Sequence, residues 1–361
     1  MTDTLNISIV LGSFRIGGTE KVMINLANGI AEKNIKCTLV ALDRTGPLRS
    51  QISSKVNIVS LDELRARNAI RKFRNFLRTE NPDVIIVSQT HVQIMAMLAV
   101  KWEKWKGKII LNEHSLFSYN NSSSFNKLLA KYLFNRADAI TSVSKSVAVN
   151  FVENFPSLKS KVSVIHNAAF EDKILDLKNV AFHPDTKLPV ILAVGRLTVS
   201  KNYKLLLDAF ALVLKKKHAQ LIFLGNGSEQ SELAACAERL NISSNVTFRG
   251  SVENPYSYMK HCSVFVLTSA YEGLPTVLIE ALACGCNIVC TEIPGGAGEI
   301  LLDGKLGTIV PSNASKLADA IIINLKEKTG AAQKLIRAKE FSTDIAVFKY
   351  LSLINHLREE Q

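Results

Sequence analysis

Residues 269–285 read SAYEGLPTVLIEALACG; they overlap the end of one apolar run, VFVLTSA at 264–270, and precede another, NIVCTE at 287–292. Both runs are typical of buried strands, while residues 275–284 show the longer apolar pattern of a helix. A strand, a helix and a second strand in this order predict a parallel β-α-β unit. The turn before the helix then lies at the carboxyl end of a strand, where open parallel sheets bind ligands.

The same alternation of strand and helix continues through the whole chain. It predicts an α/β protein with two Rossmann-like parallel-sheet domains that face a central cleft. The predicted strands are 6–13, 36–43, 83–89, 108–114 and 139–144 in the first half, and 189–197, 220–227, 245–250, 264–270 and 287–292 in the second. The predicted helices include 19–33, 63–80, 126–137, 203–217, 229–240 and 275–284.

A polar, irregular passage at 167–189, NAAFEDKILDLKNVAFHPDTKLP, separates the two series of strands. The second half restarts the strand–helix pattern after it. We therefore predict an N-terminal domain at 1–167, a linker at 168–188 and a C-terminal domain at 189–340. Residues 341–361 are predicted to form a helix that packs back on the N-terminal domain.

The composition is that of a folded protein. Of the 361 residues, 47% are hydrophobic and 21% are charged, which excludes an intrinsically disordered chain. No stretch approaches the roughly 20 apolar residues of a membrane-spanning helix. The N-terminus lacks a basic segment followed by a cleavable apolar stretch, which argues against a signal peptide. We expect a cytoplasmic protein.

The positive charge is concentrated in the first half. Residues 1–165 contain 23 Lys and Arg against 12 Asp and Glu, whereas residues 166–361 contain 21 against 20. This asymmetry indicates that the first half meets an anionic membrane, nucleic acid or substrate.

Three of the six cysteines, Cys284, Cys286 and Cys290, cluster in ACGCNIVC at 283–290. No histidine or second cysteine pair lies close in sequence to complete a tetrahedral metal site. We interpret them as small buried thiols rather than metal ligands.

Two glycine-rich turns follow predicted strands. In GSFRIGGTEKVMINLA at 12–27, Gly17 and Gly18 open the first helix, whose free N–H groups favour an anion. The spacing differs from the dinucleotide fingerprint G-x-G-x-x-G. Gly225 and Gly227 form a second turn of this kind, in IFLGNGSEQSEL at 222–233. Either turn alone is also explained by chain geometry.

Arg196 and Lys201 stand in AVGRLTVSKN at 193–202, between a buried strand and a helix. A guanidinium binds phosphate oxygens in a bidentate way and an ammonium adds a point charge, so the pair suits a diphosphate. The alternative is that both are solvated loop charges.

The opening stretch adds a helix N-terminus and two carboxylates. Pro275 is expected at the first helical position, so the N–H groups of Thr276 and Val277 would point at an anion. Glu280 lies on the same face as Thr276 and could accept two hydrogen bonds from a ribose. Glu272 lies before the turn, where a second polyhydroxylated group would be. This arrangement suits a sugar nucleotide, although acidic residues near a helix start also complement its dipole.

The E-x7-E pattern of Glu272 and Glu280, with GRL…KN upstream and the glycine pair after the first strand, resembles the retaining glycosyltransferases of family 4. The resemblance covers nearly the whole chain and implies the GT-B fold, an acceptor-binding N-terminal domain and a C-terminal domain that binds a UDP-sugar. It implies transfer with retention of configuration, by a same-face reaction, without a metal or another cofactor.

The resemblance also implies roles for single residues. Arg196 and Lys201 would hold the diphosphate, Glu280 the ribose and Glu272 the sugar hydroxyls, while 250–252 would contact the base. His114, in LNEHSLFSY at 111–119, would lie beside the transferred sugar. The implied catalytic residues are Glu272, His114, Arg196 and Lys201. The implied donor-binding residues are Gly17, Gly18, Arg196, Lys201, Gly225, Val252, Glu272, Gly273, Leu274, Pro275, Thr276, Val277 and Glu280.

The chain departs from the family at Asn287, where many relatives have proline. We expect this to be a local variation of the turn that leaves the roles of the site residues unchanged.

The basic surplus of the first half includes an amphipathic helix. In LRARNAIRKFRNFLR at 64–78, one face carries Ala66, Ile70, Phe73 and Leu77, and the adjoining stripe carries Arg67, Arg71, Arg74 and Arg78. Together with Trp102 and Trp105, the arginines suit an anionic membrane or a lipid diphosphate, although a packed helix with a solvated basic face gives the same pattern.

We therefore expect a membrane-bound acceptor, such as an undecaprenyl-diphosphate-linked oligosaccharide or a lipopolysaccharide intermediate, and peripheral association with the inner face of the plasma membrane. The pieces EHS, VEN and EGLPTVLIE look similar to bacterial N-acetylgalactosaminyltransferases that extend lipid-linked glycans. Two alternatives remain: a sugar-phosphate synthase or phosphorylase of the same fold with a soluble acceptor, and a basic nucleic-acid-binding protein. A nucleic-acid-binding protein would need a recognition-helix motif, or a groove in which basic residues alternate with stacking aromatic residues. Neither is evident in the sequence.

Overall fold

The computed structural model describes residues 5–119, 124–180, 187–325 and 330–359, and of residues 124–127 it gives the backbone alone. The chain forms two compact units. Unit 1 comprises Met1–Ala169 and Ser342–Gln361, and unit 2 comprises Phe170–Phe341. Residues 181–186 of the predicted linker lie outside the described residues.

Unit 1 is built on a seven-stranded sheet in which every pairing is parallel. Its strands are β1 (Asn6–Leu11), β2 (Lys36–Ala41), β3 (Asn57–Ser60), β4 (Val84–Ser88), β5 (Lys108–Glu113), β6 (Ala139–Ser142) and β7 (Val162–Val164). Its first helices are α1 (Gly18–Glu32), α2 (Ala66–Glu80), α3 (Thr90–Glu103), α4 (Ser124–Phe134) and α5 (Lys145–Asn154). The strand order is β3-β2-β1-β4-β5-β6-β7.

Unit 2 is built on a six-stranded parallel sheet. Its strands are β8 (Val190–Val194), β9 (Gln220–Leu224), β10 (Val246–Gly250), β11 (Val264–Leu267), β12 (Ile288–Thr291) and β13 (Thr308–Val310). Its helices are α6 (Lys173–Leu177), α7 (Tyr203–Leu214), α8 (Gln230–Arg239), α9 (Pro255–His261), α10 (Thr276–Ala283), α11 (Ala297–Leu301), α12 (Ala314–Asn324) and α13 (Ala331–Lys339). The strand order is β10-β9-β8-β11-β12-β13.

The two strand orders confirm the prediction of two Rossmann-like sheets. In each sheet the first strand of the unit lies at the point where the strand order reverses, between β2 and β4 in unit 1 and between β9 and β11 in unit 2. The crevice at this switch point, outside the carboxyl ends of the two central strands, is the ligand-binding place of such sheets. It lies between β1 and β4 in unit 1 and between β8 and β11 in unit 2.

The predicted strands are all present, and the predicted helices are present with ends shifted by up to three residues. Three of the observed strands were not predicted from the sequence. These are β3, β7 and β13, and each lies at an edge of its sheet. Their residues are half-buried or exposed. A short strand covered on one side lacks the continuous apolar run that marks a buried central strand.

The two faces of the unit 1 sheet carry separate cores, because side chains alternate along each strand. Ile7 and Ile9 of β1 contribute to the core on one face, which α1 covers. Val10 contributes to the core on the other face, beneath α2 and α3.

The last helix of the chain, α14 (Thr343–Glu359), belongs to unit 1 and packs on α1. Its Val347, Tyr350 and Ile354 are buried in the same core as the first strand. The Tyr350 hydroxyl also lies 3.0 Å from Thr141 Oγ1 of β6. The end of the chain therefore completes the first unit.

Helix α2 buries one face against the core and exposes most of its basic stripe. Phe73 and Leu77 are fully buried. Three of the arginines are exposed: Arg67, Arg71 and Arg78. The fourth, Arg74, is half-buried and donates from Nε to Glu103 Oε2 of α3 at 3.1 Å. The exposed basic stripe thus contains three arginines rather than the four predicted, because Arg74 joins α2 to α3.

The two tryptophans of KWEKWKGK have different surroundings. Trp102 is 53% exposed. Trp105 packs against the core and donates from Nε1 to the carbonyl oxygen of Pro82 at 3.2 Å. Only one of the two aromatic rings is therefore available at the surface. In the parts of the chain that the structure describes, no helix combines the length and apolar character needed to cross a membrane.

Candidate functional site

The switch point of unit 2 brings together two of the loops that the sequence singles out. One follows β8 and contains Arg196 and Lys201; the other follows β11 and contains Glu272. The loops are joined by two hydrogen bonds: Thr268 Oγ1 donates to Lys201 O at 3.0 Å, and Ala270 N donates to Ser200 O at 2.8 Å. Residues 67 or more positions apart in sequence are thus fixed in one crevice.

Lys201 and Glu272 form an ion pair in this crevice. Lys201 Nζ lies 2.5 Å from Glu272 Oε1, and Ser269 Oγ donates to the same oxygen at 2.8 Å. Both charged side chains are largely shielded, with exposures of 18% and 19%. Charge-assisted hydrogen bonds in a shielded place are stronger than surface pairs. The pair therefore fixes the position of the carboxylate.

Tyr203 lies directly behind this pair. A Cβ built on Gly195 would be 2.9 Å from the Tyr203 hydroxyl and 3.3 Å from Lys201 Cε, so the glycine leaves room for both side chains. Burial, and secondarily the charge of Glu272, raise the pKa of Tyr203. The phenol therefore stays protonated.

Arg196 is exposed at the start of the same loop. In residues 5–119, 124–180, 187–325 and 330–359, it has no ion pair, so its guanidinium is available to an anion from solution. Gly195, with a φ of +154°, makes the turn that directs the chain away from β8.

Helix α10 begins at this crevice. Pro275 is its N-cap rather than its first residue, because a ψ of 91° takes it out of the helical conformation. Pro275 itself provides no side-chain cap, and the first hydrogen bond of the helix runs from Leu278 N to Pro275 O at 2.9 Å. The N–H groups of Thr276 and Val277 precede that bond. Pro275 thus lies one position before the predicted one, but the N–H groups at the helix start are still those of Thr276 and Val277, as predicted for an anion-binding helix.

Glu280 lies one turn after Thr276 on α10 and is buried, with 7% exposure. Its Oε1 accepts a hydrogen bond of 3.4 Å from the Tyr256 hydroxyl of α9. A buried carboxylate beside a helix mouth is a directed hydrogen-bond acceptor rather than a solvated surface charge.

Gly225 and Val252 lie on the β9–β10 side of the crevice. Gly225 N donates to Gly250 O at 2.7 Å, and Asn226 Nδ2 donates to Ser251 Oγ at 3.3 Å. A Cβ on Gly225 would lie 2.1 Å from Gly195 O. This glycine therefore allows the close packing of one loop on another.

A loop that the sequence analysis passed over also reaches the site. It follows β12 and contains Pro294, Gly295 and Gly296. Glu272 N donates to Pro294 O at 3.0 Å, and Gly296 N donates to Gly273 O at 2.9 Å. The available signal was the pair of glycines after a strand, in IPGGAGE at 293–299.

Gly17 and Gly18 lie in unit 1, at the start of α1. Gly17 is the N-cap and Gly18 the first helical residue. A Cβ on Gly17 would be 2.1 Å from Glu20 Oε2, so the Glu20 carboxylate lies over the helix N-terminus. Gln89 Nε2, after β4, donates to the other carboxylate oxygen at 2.7 Å. The negatively charged group at the start of α1 is therefore the carboxylate of Glu20, a residue of the same helix.

His114 follows β5 in unit 1, and its Nε2 is buried without a hydrogen-bond partner among the described residues. Burial lowers the pKa of His114 to about 3, so the ring is neutral. Burial raises the pKa of the neighbouring Glu113 to about 7, an effect that a hydrogen bond from Gln93 opposes. The end of β5 thus carries a neutral histidine and a carboxyl group that is only partly ionised around neutral pH.

Asn287 has a structural role at the start of β12. Its Nδ2 donates to Asn324 O at 3.0 Å, and its Oδ1 accepts from Lys334 Nζ at 3.5 Å. Its side chain therefore ties the strand to α12 and α13. All six cysteines are buried and free of disulfides, which confirms buried thiols.

Two family models match the chain, one in each unit. The model described as Glycosyltransferase Family 4 matches residues 16–169, and the model described as Glycosyl transferases group 1 matches residues 178–340.

Two relatives from Campylobacter jejuni are similar over much or all of the chain. The N-acetylgalactosamine-N,N'-diacetylbacillosaminyl-diphospho-undecaprenol 4-alpha-N-acetylgalactosaminyltransferase is 33% identical over 66% of this chain and 66% of its own length. The GalNAc-alpha-(1->4)-GalNAc-alpha-(1->3)-diNAcBac-PP-undecaprenol alpha-1,4-N-acetyl-D-galactosaminyltransferase is 25% identical over 99% of this chain and 97% of its own length.

Among solved structures, HepE of Anabaena in complex with UDP-glucose superposes with a TM-score of 0.82. It is 20% identical, and the superposition covers 98% of this chain and 100% of that chain, so the likeness concerns the fold. Two matching family models, two Rossmann-like sheets and the same fold in a solved structure agree. The chain belongs to the glycosyltransferases, with a family 4 domain followed by a group 1 domain in the GT-B fold.

Proposed function

We propose that the protein is a retaining glycosyltransferase that moves a hexose or N-acetylhexosamine from a UDP-sugar to a membrane-associated, lipid-linked glycan, in the synthesis of bacterial surface polysaccharides or glycoprotein glycans. One observation carries the donor part of this proposal. The ion pair of Lys201 and Glu272 lies beside exposed Arg196 and the uncapped start of α10.

The diphosphate of the donor would bind where positive groups converge. Arg196 offers a bidentate guanidinium and Lys201 an ammonium, and the start of α10 adds two N–H groups. As the glycosidic bond breaks, the leaving diphosphate gains negative charge. Groups already fixed around it stabilise that charge without reorganising, which lowers the barrier. This arrangement supplies the charge stabilisation without a metal ion.

The two carboxylates would hold the two sugars of the donor. Glu280, buried beside the helix start, would accept hydrogen bonds from the ribose hydroxyls. Glu272, on the other side of the phosphates, would accept them from the transferred sugar. Once the diphosphate engages Lys201, the Glu272 carboxylate gains freedom to accept from the sugar while the backbone still fixes its place.

His114 would contact the transferred sugar or help to position the acceptor. Its neutral ring carries an unpartnered buried nitrogen, which could accept from a hydroxyl group. No side chain of the crevice is placed as a nucleophile in this proposal. Retention would follow from attack on the same face, with the leaving phosphate taking the proton of the acceptor hydroxyl.

The acceptor part of the proposal rests on the relatives and on the charge of unit 1. Both Campylobacter relatives bear names that specify undecaprenol-linked diphosphate substrates. The exposed arginines of α2 and the exposed Trp102 would favour an anionic bilayer, since cations and interfacial aromatics both bind at headgroups. The protein would then work in the cytoplasm, at the inner face of the plasma membrane.

A thermal-shift screen with UDP, GDP, ADP and common UDP-sugars tests the donor. We expect a rise in Tm with UDP and with one UDP-sugar, because a ligand of the native state stabilises it. The same screen on Arg196→Ala tests the role of the arginine. Arg196→Lys, which keeps the charge but loses the bidentate geometry, is its matched control. No shift with any nucleotide would contradict the donor assignment.

A transfer assay then tests the acceptor. Glycan linked to undecaprenyl diphosphate in vesicles should be extended, whereas a soluble sugar phosphate should not. Product formed only on the soluble acceptor would favour a sugar-phosphate synthase instead. An absorbance band of bound pyridoxal phosphate would favour a phosphorylase. A Tm rise with oligonucleotide alone would favour the nucleic-acid-binding alternative.

A further inference from the structure

The loop after β12 presses against the backbone of Glu272. Two hydrogen bonds run between the segments in opposite directions: Glu272 N donates to Pro294 O at 3.0 Å, and Gly296 N donates to Gly273 O at 2.9 Å. Between these bonds lies Gly295, whose Cα faces the backbone of Glu272. The loop and the turn thus form a two-bond bridge with one residue at its centre.

The residue at the centre has to be glycine for two reasons. Its φ is +125°, a conformation that side chains rarely tolerate. A Cβ at this position would lie 1.6 Å from Glu272 O and 2.7 Å from Glu272 C. The first distance is 1.4 Å short of the 3.0 Å that real Cβ atoms keep. Both obstructing atoms are backbone, so the strand-end loop and the Glu272 turn would have to move apart.

The position of Glu272 is otherwise fixed from its other side. Its carboxylate meets Lys201 and Ser269, and the loops of these residues are joined to each other. A displacement of the Glu272 backbone by more than 1 Å would therefore move the carboxylate away from both partners. In enzymes a misplacement of about 1 Å costs roughly a hundredfold in rate.

We infer that Gly295 is a positioning residue for the reaction: its missing side chain lets the loop after β12 hold the Glu272 backbone where the carboxylate meets the donor sugar. The inference rests on the proposed role of Glu272. It predicts a larger effect on turnover than on nucleotide binding, because Arg196 lies on the loop after β8 and Glu280 lies inside α10, one turn after its first residue.

Gly304 offers a matched control. Its φ is +98°, so alanine is strained there as well, but a Cβ would meet nothing closer than Gly307 O at 3.6 Å. Gly304→Ala therefore reproduces the backbone strain without touching Glu272.

The experiment compares Gly295→Ala, Gly304→Ala, Glu272→Ala and the double variant Gly295→Ala/Glu272→Ala. Each is assayed for kcat and KM with the UDP-sugar, and for the Kd of UDP. We expect Gly295→Ala to lower kcat about a hundredfold. The Kd of UDP should stay within about twofold, the ordinary error of independent sites. In the Glu272→Ala background, Gly295→Ala should lower kcat by no more than about twofold further.

The double variant separates positioning from general damage, because a loop that only stabilises the fold would lower kcat equally in both backgrounds. An unchanged kcat in Gly295→Ala, or equal losses in the two backgrounds, would overturn the inference. An unchanged kcat in Glu272→Ala would instead overturn the role proposed for Glu272 itself.

A second variant covers the case in which Gly295→Ala fails to fold. Pro294→Gly keeps the carbonyl that accepts the Glu272 N–H but frees the loop around it. It should lower kcat, leave the Kd of UDP unchanged and have no further effect in the Glu272→Ala background. A Pro294→Gly variant with normal kcat would overturn the inference in that case.

Discussion

The two units have the same strand order around their switch points, yet the two crevices are filled differently. In unit 1 the helix after β1 starts beneath the Glu20 carboxylate, which Gln89 holds in place. In unit 2 the helix after β11 starts at Pro275 without a side-chain cap, and exposed Arg196 stands nearby. One crevice supplies its own anion, and the other is open to an anion from solution.

This difference shows that a helix N-terminus is only half of an anion site. The partial positive charge at the start of a helix attracts whichever carboxylate or phosphate can reach it. In unit 1 that group comes from the first turn of the same helix. In unit 2 a residue without an acidic side chain stands at the cap, and the nearby glutamates point at a lysine and a tyrosine instead.

The largest effect is expected from the unit 2 crevice. Arg196→Ala should lower kcat by roughly a hundredfold to a thousandfold, the usual cost of removing one preorganised charge-stabilising group. The fold should be unaffected, since the side chain is exposed. Steady-state kinetics and a melting curve measure the two quantities. Arg196→Lys should recover part of the loss. Wild-type kcat in Arg196→Ala would mean that the open crevice is not where the diphosphate reacts.

Glu280→Ala should weaken UDP binding by about ten- to a hundredfold, the value of one or two hydrogen bonds to a buried carboxylate. Isothermal titration calorimetry gives the Kd directly. Tyr256→Phe, which removes the hydroxyl that donates to Glu280, is the matched control and should weaken binding less. Equal Kd values for Glu280→Ala and the wild type would remove the ribose role from this residue.

Unit 1 should respond to pH through His114. Its folded-state pKa, about 3, lies below that of the free side chain, so the unfolded chain binds the proton first as the pH falls. Stability is therefore lost progressively from about pH 6.5 downward, by up to about 1.4 kcal/mol per pH unit. His114→Gln should flatten this acid limb in melting curves taken at successive pH values.

The neighbouring Glu113 gives the opposite limb, which offsets the His114 loss between about pH 4.5 and 6.5 and leaves that loss uncompensated below about pH 4.5. Its folded-state pKa is raised to about 7, so the stability it contributes is complete below about pH 4.5 and is lost as the pH rises to 7. Glu113→Gln should flatten only this limb. If both variants retained the wild-type profile, the two groups would not be buried as the structure has them.

The smallest effect is expected at the filled crevice. Glu20→Ala removes the carboxylate from the start of α1 and should cost about 0.3–1 kcal/mol of stability, as for other acidic groups in the first turn of a helix. Chemical denaturation measures this cost, with Glu20→Gln as the milder control. The affinity of the same variants for the UDP-sugar tests the predicted donor contact of Gly17 and Gly18. An unchanged free energy of unfolding would contradict a stabilising interaction between Glu20 and the start of α1.

Much of this molecule could be predicted from its sequence, because central parallel strands are continuous apolar runs. Lys201 and Glu272 were both singled out from the strand ends on which they lie, and the switch point explains why distant loops meet. The edge strands β3 and β13 were missed because half-covered strands lack that pattern.

The contacts between side chains could not be predicted in the same way. Nothing in a basic stripe distinguishes Arg74, which pairs with Glu103, from the exposed arginines beside it. The close approach of Gly295 to the Glu272 backbone depends on the path of two loops. Spacing along the chain identifies which residues reach an edge of a sheet, whereas packing decides what each one touches there.

The return of α14 to unit 1 has a consequence for synthesis on the ribosome. Val347, Tyr350 and Ile354 fill the same core as β1, yet they are translated after all of unit 2. Nascent unit 1 therefore leaves the exit tunnel with part of its apolar face uncovered, while unit 2 can complete its core earlier. We expect the nascent N-terminal half to remain open to chaperones until the final helix emerges.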